Sequence, residues 1–216
     1  MSIEKINKKN IKKGVMIIIS SPSGAGKTTL CKKITSLDKN IFLSISYTTR
    51  KKRESENDGE HYKFIDNKKF QNMKKNKFFL ESAKVFGNSY GTPLKELVNK
   101  IKIGKDVLFD IDWQGAKQIR KKFPEYVVDF FIMPPNIKEL RRRLIVRGQD
   151  DIKIVNKRMK MAFDEMNHYE EYKYVLINDN LNRTVKKIKK IIKLEKIQKN
   201  NLKKLTNNIK KFKLSR

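Results

Sequence analysis

The apolar run Val15-Met16-Ile17-Ile18-Ile19 is continuous and mostly β-branched rather than alternating, the pattern of a strand buried on both faces. It leads into Ser20-Ser21-Pro22-Ser23-Gly24-Ala25-Gly26-Lys27-Thr28-Thr29, after which Leu30, Cys31, Ile34 and Leu37 recur at helical spacing. A second buried strand is expected at Val107–Asp112, preceded by Gly104 and followed by a helix carrying Ala116, Ile119 and Phe123 that stops at Pro124. A third spans Val127–Met133 and ends at Pro134-Pro135; a fourth spans Tyr174–Ile177 and ends at Asn178-Asp179-Asn180. Strands alternating with helices imply an α/β fold, a parallel sheet core covered by helices on both faces. Between the first two strands, roughly Ser44 to Tyr90, short alternating runs such as His61-Tyr62-Lys63-Phe64-Ile65 indicate an inserted mixed α/β subdomain, with Phe78, Phe79 and Phe86 in its core. The arginine-rich stretch from Lys138, with Gly148 in a polar setting, reads as a hinged helical lid. The expected division is residues 1–43, 92–137 and 160–216 for the core, 44–91 for the subdomain and 138–159 for the lid. After Arg183 the stripe Val185, Ile188, Ile191, Ile192 and Leu194 predicts a packed last helix, giving way to weak order in an Asn/Lys-rich tail after Gln198.

Composition narrows the classes. The chain has 216 residues, 38% hydrophobic and 35% charged, which excludes fibrous and wholly disordered chains. Its net charge of +29 invites a polyanion partner, but much of it sits at the ends: fourteen Lys/Arg against Glu195 from Arg183 to Arg216, and five Lys against Glu4 from Met1 to Lys13. Lysine, asparagine and isoleucine recur throughout, as an A+T-biased coding sequence would give, and no reader motif or interleaved aromatics accompany the lysines. Specific nucleic-acid recognition is therefore not expected. With Cys31 alone, no intramolecular disulfide and no multi-thiolate zinc cage can form, and two separated histidines make no metal cluster. The apolar run at Val15 is too short for a membrane span or a signal segment, so a cytoplasmic, membrane-free protein is expected.

The glycine loop carries the clearest chemistry. Ser21-Pro22-Ser23-Gly24-Ala25-Gly26-Lys27-Thr28 matches G-x-x-x-x-G-K-[ST] with serine at the first glycine position, between a strand and a helix as a phosphate loop requires. Gly24 and Gly26 let backbone N–H groups close around phosphate oxygens, the helix N-terminus adds partial positive charge, and Lys27 reaches the outer phosphates. Residues Ser21 to Thr29 are thus the expected ATP-binding loop, with Thr28 on Mg²⁺.

Three further segments, Ser44 through Tyr62 with its core Ser46-Tyr47-Thr48-Thr49-Arg50-Lys51-Lys52-Arg53, Phe86-Gly87-Asn88-Ser89-Tyr90-Gly91-Thr92, and Asp110-Ile111-Asp112-Trp113-Gln114-Gly115, closely resemble the signatures of guanylate kinases. Together with the loop before and Arg147-Gly148 after, the resemblance runs from about Met16 to Asp179. It implies transfer of the γ-phosphoryl group of ATP to GMP, giving ADP and GDP, with Mg²⁺ as cofactor and dGMP a weaker acceptor. It further implies that Arg50, Arg53, Tyr62 and Tyr90 grip the GMP phosphate, that Ser46 joins them, and that Glu56 orients the arginines. Glu81 and Thr92, with Asp110 or Asp112, would read the guanine edge, since a base presenting N–H donors calls for carboxylate and hydroxyl acceptors. The same aspartates could instead order the Mg²⁺ shell through water. Arg143, Arg147 and Arg158 would be the lid arginines that neutralise the migrating phosphoryl group. A phosphate-loop kinase for another acceptor would lack the guanine-reading acids, and a guanylate-kinase-like phosphopeptide-binding module would have a degraded loop. Oligomeric state is not legible.

Overall fold

The computed structural model describes residues 14–148 and 152–214. Its core is a five-stranded parallel sheet in the order β2-β7-β1-β8-β9, formed by β1 (Met16–Ser20), β2 (Ile41–Leu43), β7 (Asp106–Asp110), β8 (Val127–Met133) and β9 (Tyr174–Ile177). The central strand β1 explains the apolar run. Met16 and Ile18 point into one buried layer with Val107, Phe109 and Phe131, while Ile17 and Ile19 point into the other with Leu108, Val128 and Phe130. Helices α3 (Leu94–Lys102) and α4 (Trp113–Lys122) close the first layer through Leu97, Ile101, Ala116 and Ile119. Helices α1 (Lys27–Ser36) and α7 (Leu181–Leu214) close the second through Leu30, Ile34, Val185 and Ile188. No residue from Met16 to Ile19 can therefore be polar without facing apolar side chains.

The insertion is a four-stranded sheet in the order β4-β3-β6-β5, with β3 (Tyr47–Thr48), β4 (Lys63–Phe64), β5 (Phe79–Val85) and β6 (Asn88–Pro93), backed by α2 (Asn67–Lys75). Only β3 and β4 run parallel. Asp66 caps α2 by accepting from the Lys69 amide. Helices α5 (Ile137–Gly148) and α6 (Ile152–Met166) share a small core of their own, Leu140, Leu144, Val155, Met159 and Ala162.

Several expectations shift. Strand β2, three residues long, carries no strong sequence signal and emerges by pairing with β7, whereas helix α3 lies outside the expected elements although Leu94, Leu97, Val98 and Ile101 recur at helical spacing and form the face packed on the first layer. The second predicted strand stops at Asp110, because Asp112 accepts from the Gly115 amide at 3.0 Å and caps α4. Strand β6 runs to Pro93, so Thr92 belongs to the inserted sheet. Of the three expected subdomain core phenylalanines only Phe79 is buried, stacked on Phe70. Phe86, 42% exposed, occupies a two-residue hairpin with Gly87, both at positive φ, and Phe78 lies at the surface. Leu194, expected on the buried stripe of α7, is exposed as well. Nor does the chain lose helical structure after Gln198. The helix α7 continues to Leu214, with no glycine or proline between to stop it.

Phe109 is fully buried at the centre of the first layer. Replacing it with alanine should cost roughly 3–5 kcal/mol in urea unfolding without changing the arrangement of the sheet, whereas the same truncation at exposed Phe86 should cost under about 1 kcal/mol.

Candidate active site

The cleft lies beyond the carboxyl ends of β1 and β7, where open parallel sheets place ligands, and extends between the inserted sheet and the α5–α6 pair. Its volume of about 1440 Å³ exceeds what a single small ligand fills, which suits two nucleotides end to end. The glycine loop floors one end. Gly24 and Gly26 take φ of 90° and 94°, and a Cβ on Gly26 would lie 2.7 Å from Asn178 Nδ2, so both left-handed backbone and close approach demand glycine there. Ser21 is buried and its hydroxyl donates to the Pro22 carbonyl; the Ala25 amide returns to the same carbonyl at 3.2 Å and tightens the loop. The amides of Ala25 and Ser23 are thus engaged, and Thr28 lines the cleft from the first turn of α1 while Thr29 is exposed beside it.

Two residues hold this loop: Asn178, which the sequence pattern did not assign to a site, and Arg143, expected as a lid arginine. Asn178, at the end of β9, donates from Nδ2 to the Ala25 carbonyl at 2.9 Å. Arg143 donates to the same carbonyl and to the Asn178 carbonyl, each at 3.3 Å, while its Nε is fixed by Glu139 at 2.8 Å. Arg142 and Arg143 hold Glu139 down to about 2. The turn signal Asn178-Asp179-Asn180 marks the end of a strand, but nothing in its spacing ties it to a loop 153 residues earlier.

Lys27 meets the carboxylate of Asp110 across the carboxyl ends of β1 and β7. Burial alone would push the ammonium down; the adjacent Asp110 charge outweighs it and the net shift is upward. Asp112 faces a different task, since Gly115 and Gln114 donate to its two oxygens at 3.0 and 2.9 Å. Of the two aspartates, Asp110 is the one turned toward Lys27.

At the other end of the cleft, Glu56 takes a fork from Arg50 Nη2 at 2.7 and 2.9 Å and the Arg53 amide at 3.0 Å. Burial opposes its ionisation, yet the Arg50 bonds win and its pKa lies below the ordinary value. Tyr62 and Tyr90 stand edge to face at 5.8 Å, with the Arg50 guanidinium 5.5 Å above the Tyr62 ring. Burial, reinforced by Asp110, lifts the Tyr62 phenol to about 12, so it stays a hydrogen-bond donor at neutral pH. Between the arginines and β7, a buried relay joins three predicted residues: Ser46 and Thr92 hydroxyls at 3.2 Å, and Thr92 donating to Glu81 at 2.5 Å. Glu81, 3% exposed, is pushed up to about 7 by burial, partly offset by the Thr92 bond. A Cβ on Gly115 would lie 2.6 Å from its carboxylate, which leaves room for no side chain on α4 at that point.

Arg158, on α6, lines the cleft with Lys27 and Arg143. Arg147 lies in the last turn of α5; its side chain is outside those described.

Comparison with known proteins agrees with this geometry. The family model "Guanylate kinase" matches residues 13–195. The chain belongs to the guanylate kinase family. It is 48% identical to the guanylate kinase of Bartonella henselae over 88% of this chain and 86% of that one. With the guanylate kinase of Buchnera aphidicola subsp. Baizongia pistaciae it shares 48% identity over 88% of this chain and 95% of the relative. The crystal structure of guanylate kinase from Anaplasma phagocytophilum superposes with a TM-score of 0.73 at 37% identity, covering 85% of this chain and 87% of that one. Family members are ATP:GMP phosphotransferases.

The raised Glu81 pKa has a stability consequence. An ordinary glutamate in the unfolded chain ionises near 4.5, so between pH 4.5 and 7 the folded protein holds a proton the unfolded chain has lost, and stability falls as pH rises through that window. The cost at pH 8 is on the order of 3 kcal/mol. Glu81→Gln should be the more stable protein at pH 8 and gain little at pH 4.5, measured by urea unfolding of the unliganded protein; parallel pH slopes for the two would refute a raised Glu81.

Proposed function

We propose that this cleft carries out the family reaction, transfer of the γ-phosphoryl group of ATP to GMP, with ATP on the glycine loop and GMP held by the inserted sheet. The observation that carries the reading is the placement, in one cleft, of the Lys27 loop at one end and the buried Ser46–Thr92–Glu81 relay with the Arg50–Glu56 fork at the other. Residues Ser21 to Thr29 supply the ATP site, Lys27 the charge on the outer phosphates. A phosphate dianion of GMP suits Arg50 and Arg53 as guanidinium forks and Tyr62 and Tyr90 as phenol donors, and Glu56 keeps Arg50 from swinging away. The guanine edge offers N–H donors, which Glu81 and Thr92 accept; adenine presents no such pattern to a buried carboxylate. Ser46 orients the Thr92 hydroxyl for that purpose.

Phosphoryl transfer asks mainly for positioning and charge neutralisation, so no dedicated base is needed. Lys27, Arg143, Arg158 and Arg147 are the cations assigned to it. Thr28 and Asp110 offer hard oxygen donors at the loop, few in number, as suits an ion held mostly by phosphates and water, and they would hold Mg²⁺. Bound there, Mg²⁺ would neutralise charge on the β- and γ-phosphate oxygens. Asp112 acts through α4, which it caps. The α5–α6 pair, with its separate apolar core, is the lid, reaching beyond the expected 138–159 to Met166, and the inserted sheet, which extends past the expected 44–91 through β6 to Pro93, is the acceptor subdomain; closing both excludes water that would otherwise hydrolyse ATP. No helix among the described residues is long and apolar enough to cross a membrane, and a cytoplasmic enzyme without specific nucleic-acid binding fits a small-molecule substrate pair.

A coupled ADP-release assay with Mg-ATP against GMP, dGMP, AMP, UMP and ribose phosphates tests the reading. Turnover should be rapid with GMP, weaker with dGMP and near absent with the rest. Folded protein silent with every acceptor would refute the enzyme and favour a binding module. Lys27→Ala should lower kcat by about a thousandfold while GMP still binds. Arg53→Ala should raise the KM for GMP by roughly tenfold and leave that for ATP unchanged; the opposite split would move Arg53 to the ATP site.

A further inference from the structure

The inner face of α6 presents Arg158, Met161 and Glu165 to the cleft at spacings of three and four, one stripe of a helix. At the end of that stripe the Glu165 carboxylate accepts from the backbone N–H of Ser23 at 2.8 Å, a bond spanning 142 residues and joining the lid helix to the crown of the glycine loop. Burial pushes the Glu165 carboxyl up, against the pull of the Ser23 amide and the Lys27 charge. Three residues further on, His168 stacks on Trp113 with ring centroids 3.6 Å apart, at the first turn of α4. The carboxyl end of α6 is therefore tied to the rigid core at two points, while an apolar face along the helix, Val155, Met159, Ala162 and Met166, packs with Leu140 and Leu144 of α5.

We propose that Glu165 is a positioning residue, a pin that fixes the rotation of α6 against the glycine loop and so aims Arg158, two turns and about 10 Å along the helix, at the transferring phosphate. The apolar packing on α5 is not directional, whereas the Glu165 bond to the Ser23 amide is, so losing that bond permits a small rotation of the helix that displaces a long side chain seven residues away. The same bond sets the Ser23 amide, so the loop and the lid arginine are placed by one carboxylate. This inference rests on the ATP:GMP reading of the cleft.

Steady-state kinetics with a double-mutant cycle tests it. Glu165→Ala should lower kcat about tenfold and raise the KM for ATP severalfold, with GMP affinity by calorimetry unchanged within about twofold. Glu165→Gln retains an oxygen that can accept from the Ser23 amide and should recover most of both losses. If Glu165 works through Arg158, Glu165→Ala added to Arg158→Ala should reduce kcat little further. Full multiplication of the two losses, a glutamine variant as poor as the alanine one, or a GMP affinity that falls in step with that for ATP would overturn the pin. Melting temperatures of the variants separate loss of fold from loss of aim. Wild-type protein idle with GMP would instead fail the underlying reading, and an active wild type with an insensitive Glu165→Ala would fail only the pin.

Discussion

Several cations must face one cleft without driving it apart, and the arrangement of the site follows from how that repulsion is met. Lys27 is paired with Asp110, Arg50 with Glu56 and Arg143 with Glu139. Each carboxylate holds its cation at a defined place before any phosphate arrives, which lowers the reorganisation needed when one does. The partners come from separate places: Asp110 from the end of a central strand, Glu56 from the inserted segment, Glu139 from the first turn of α5. Only the Lys27–Asp110 pair joins two elements, α1 and β7; Arg143 and Glu139 pair within α5, and Arg50 and Glu56 within the inserted segment.

The glycine loop is the place where these elements meet. Its Ala25 carbonyl receives Asn178 from β9 and Arg143 from α5, its Ser23 amide is taken by Glu165 from α6, and Lys27 reaches β7. The loop's geometry therefore depends on the α5–α6 pair, and the placement of that pair on the loop. Neither the left-handed glycines nor the helix dipole would fix this by itself, since both leave the loop free to tilt as a unit.

The pocket around Glu81 is built on the opposite principle. Charge there is scarce and buried: Glu81 sits among Thr92, Ser46 and the bare Cα of Gly115, with its carboxyl lifted by burial. A carboxyl poised near neutrality in a dry pocket discriminates strongly, because a ligand that fails to satisfy it leaves a desolvated polar group unpaired. The ion-paired Arg50–Glu56 fork and this dry pocket call for different surroundings, and the inserted segment supplies both side by side.

Much of this was fixed by local sequence. The β-branched runs at Val15, Val107 and Val127 could only be buried strands, the glycine loop between strand and helix announced phosphate, and the arginine–tyrosine and Phe86–Thr92 segments carried the family's signature. What required the tertiary structure was everything resting on contacts far apart in sequence. Strand β2, only three residues long, is defined by its pairing with β7 rather than by its own pattern, and Phe86 is exposed by a hairpin whose turn has only two residues. Asp110 and Asp112 are both strand-end acids in the sequence, and only the fold shows that Asp110 pairs with Lys27 while Asp112 caps α4. Asn178 and Glu165 stand 153 and 142 residues from the loop atoms they hold, and a hydrogen bond of that span leaves no periodicity, spacing or composition to read, because its only cause is where the folded sheet and lid bring the two groups.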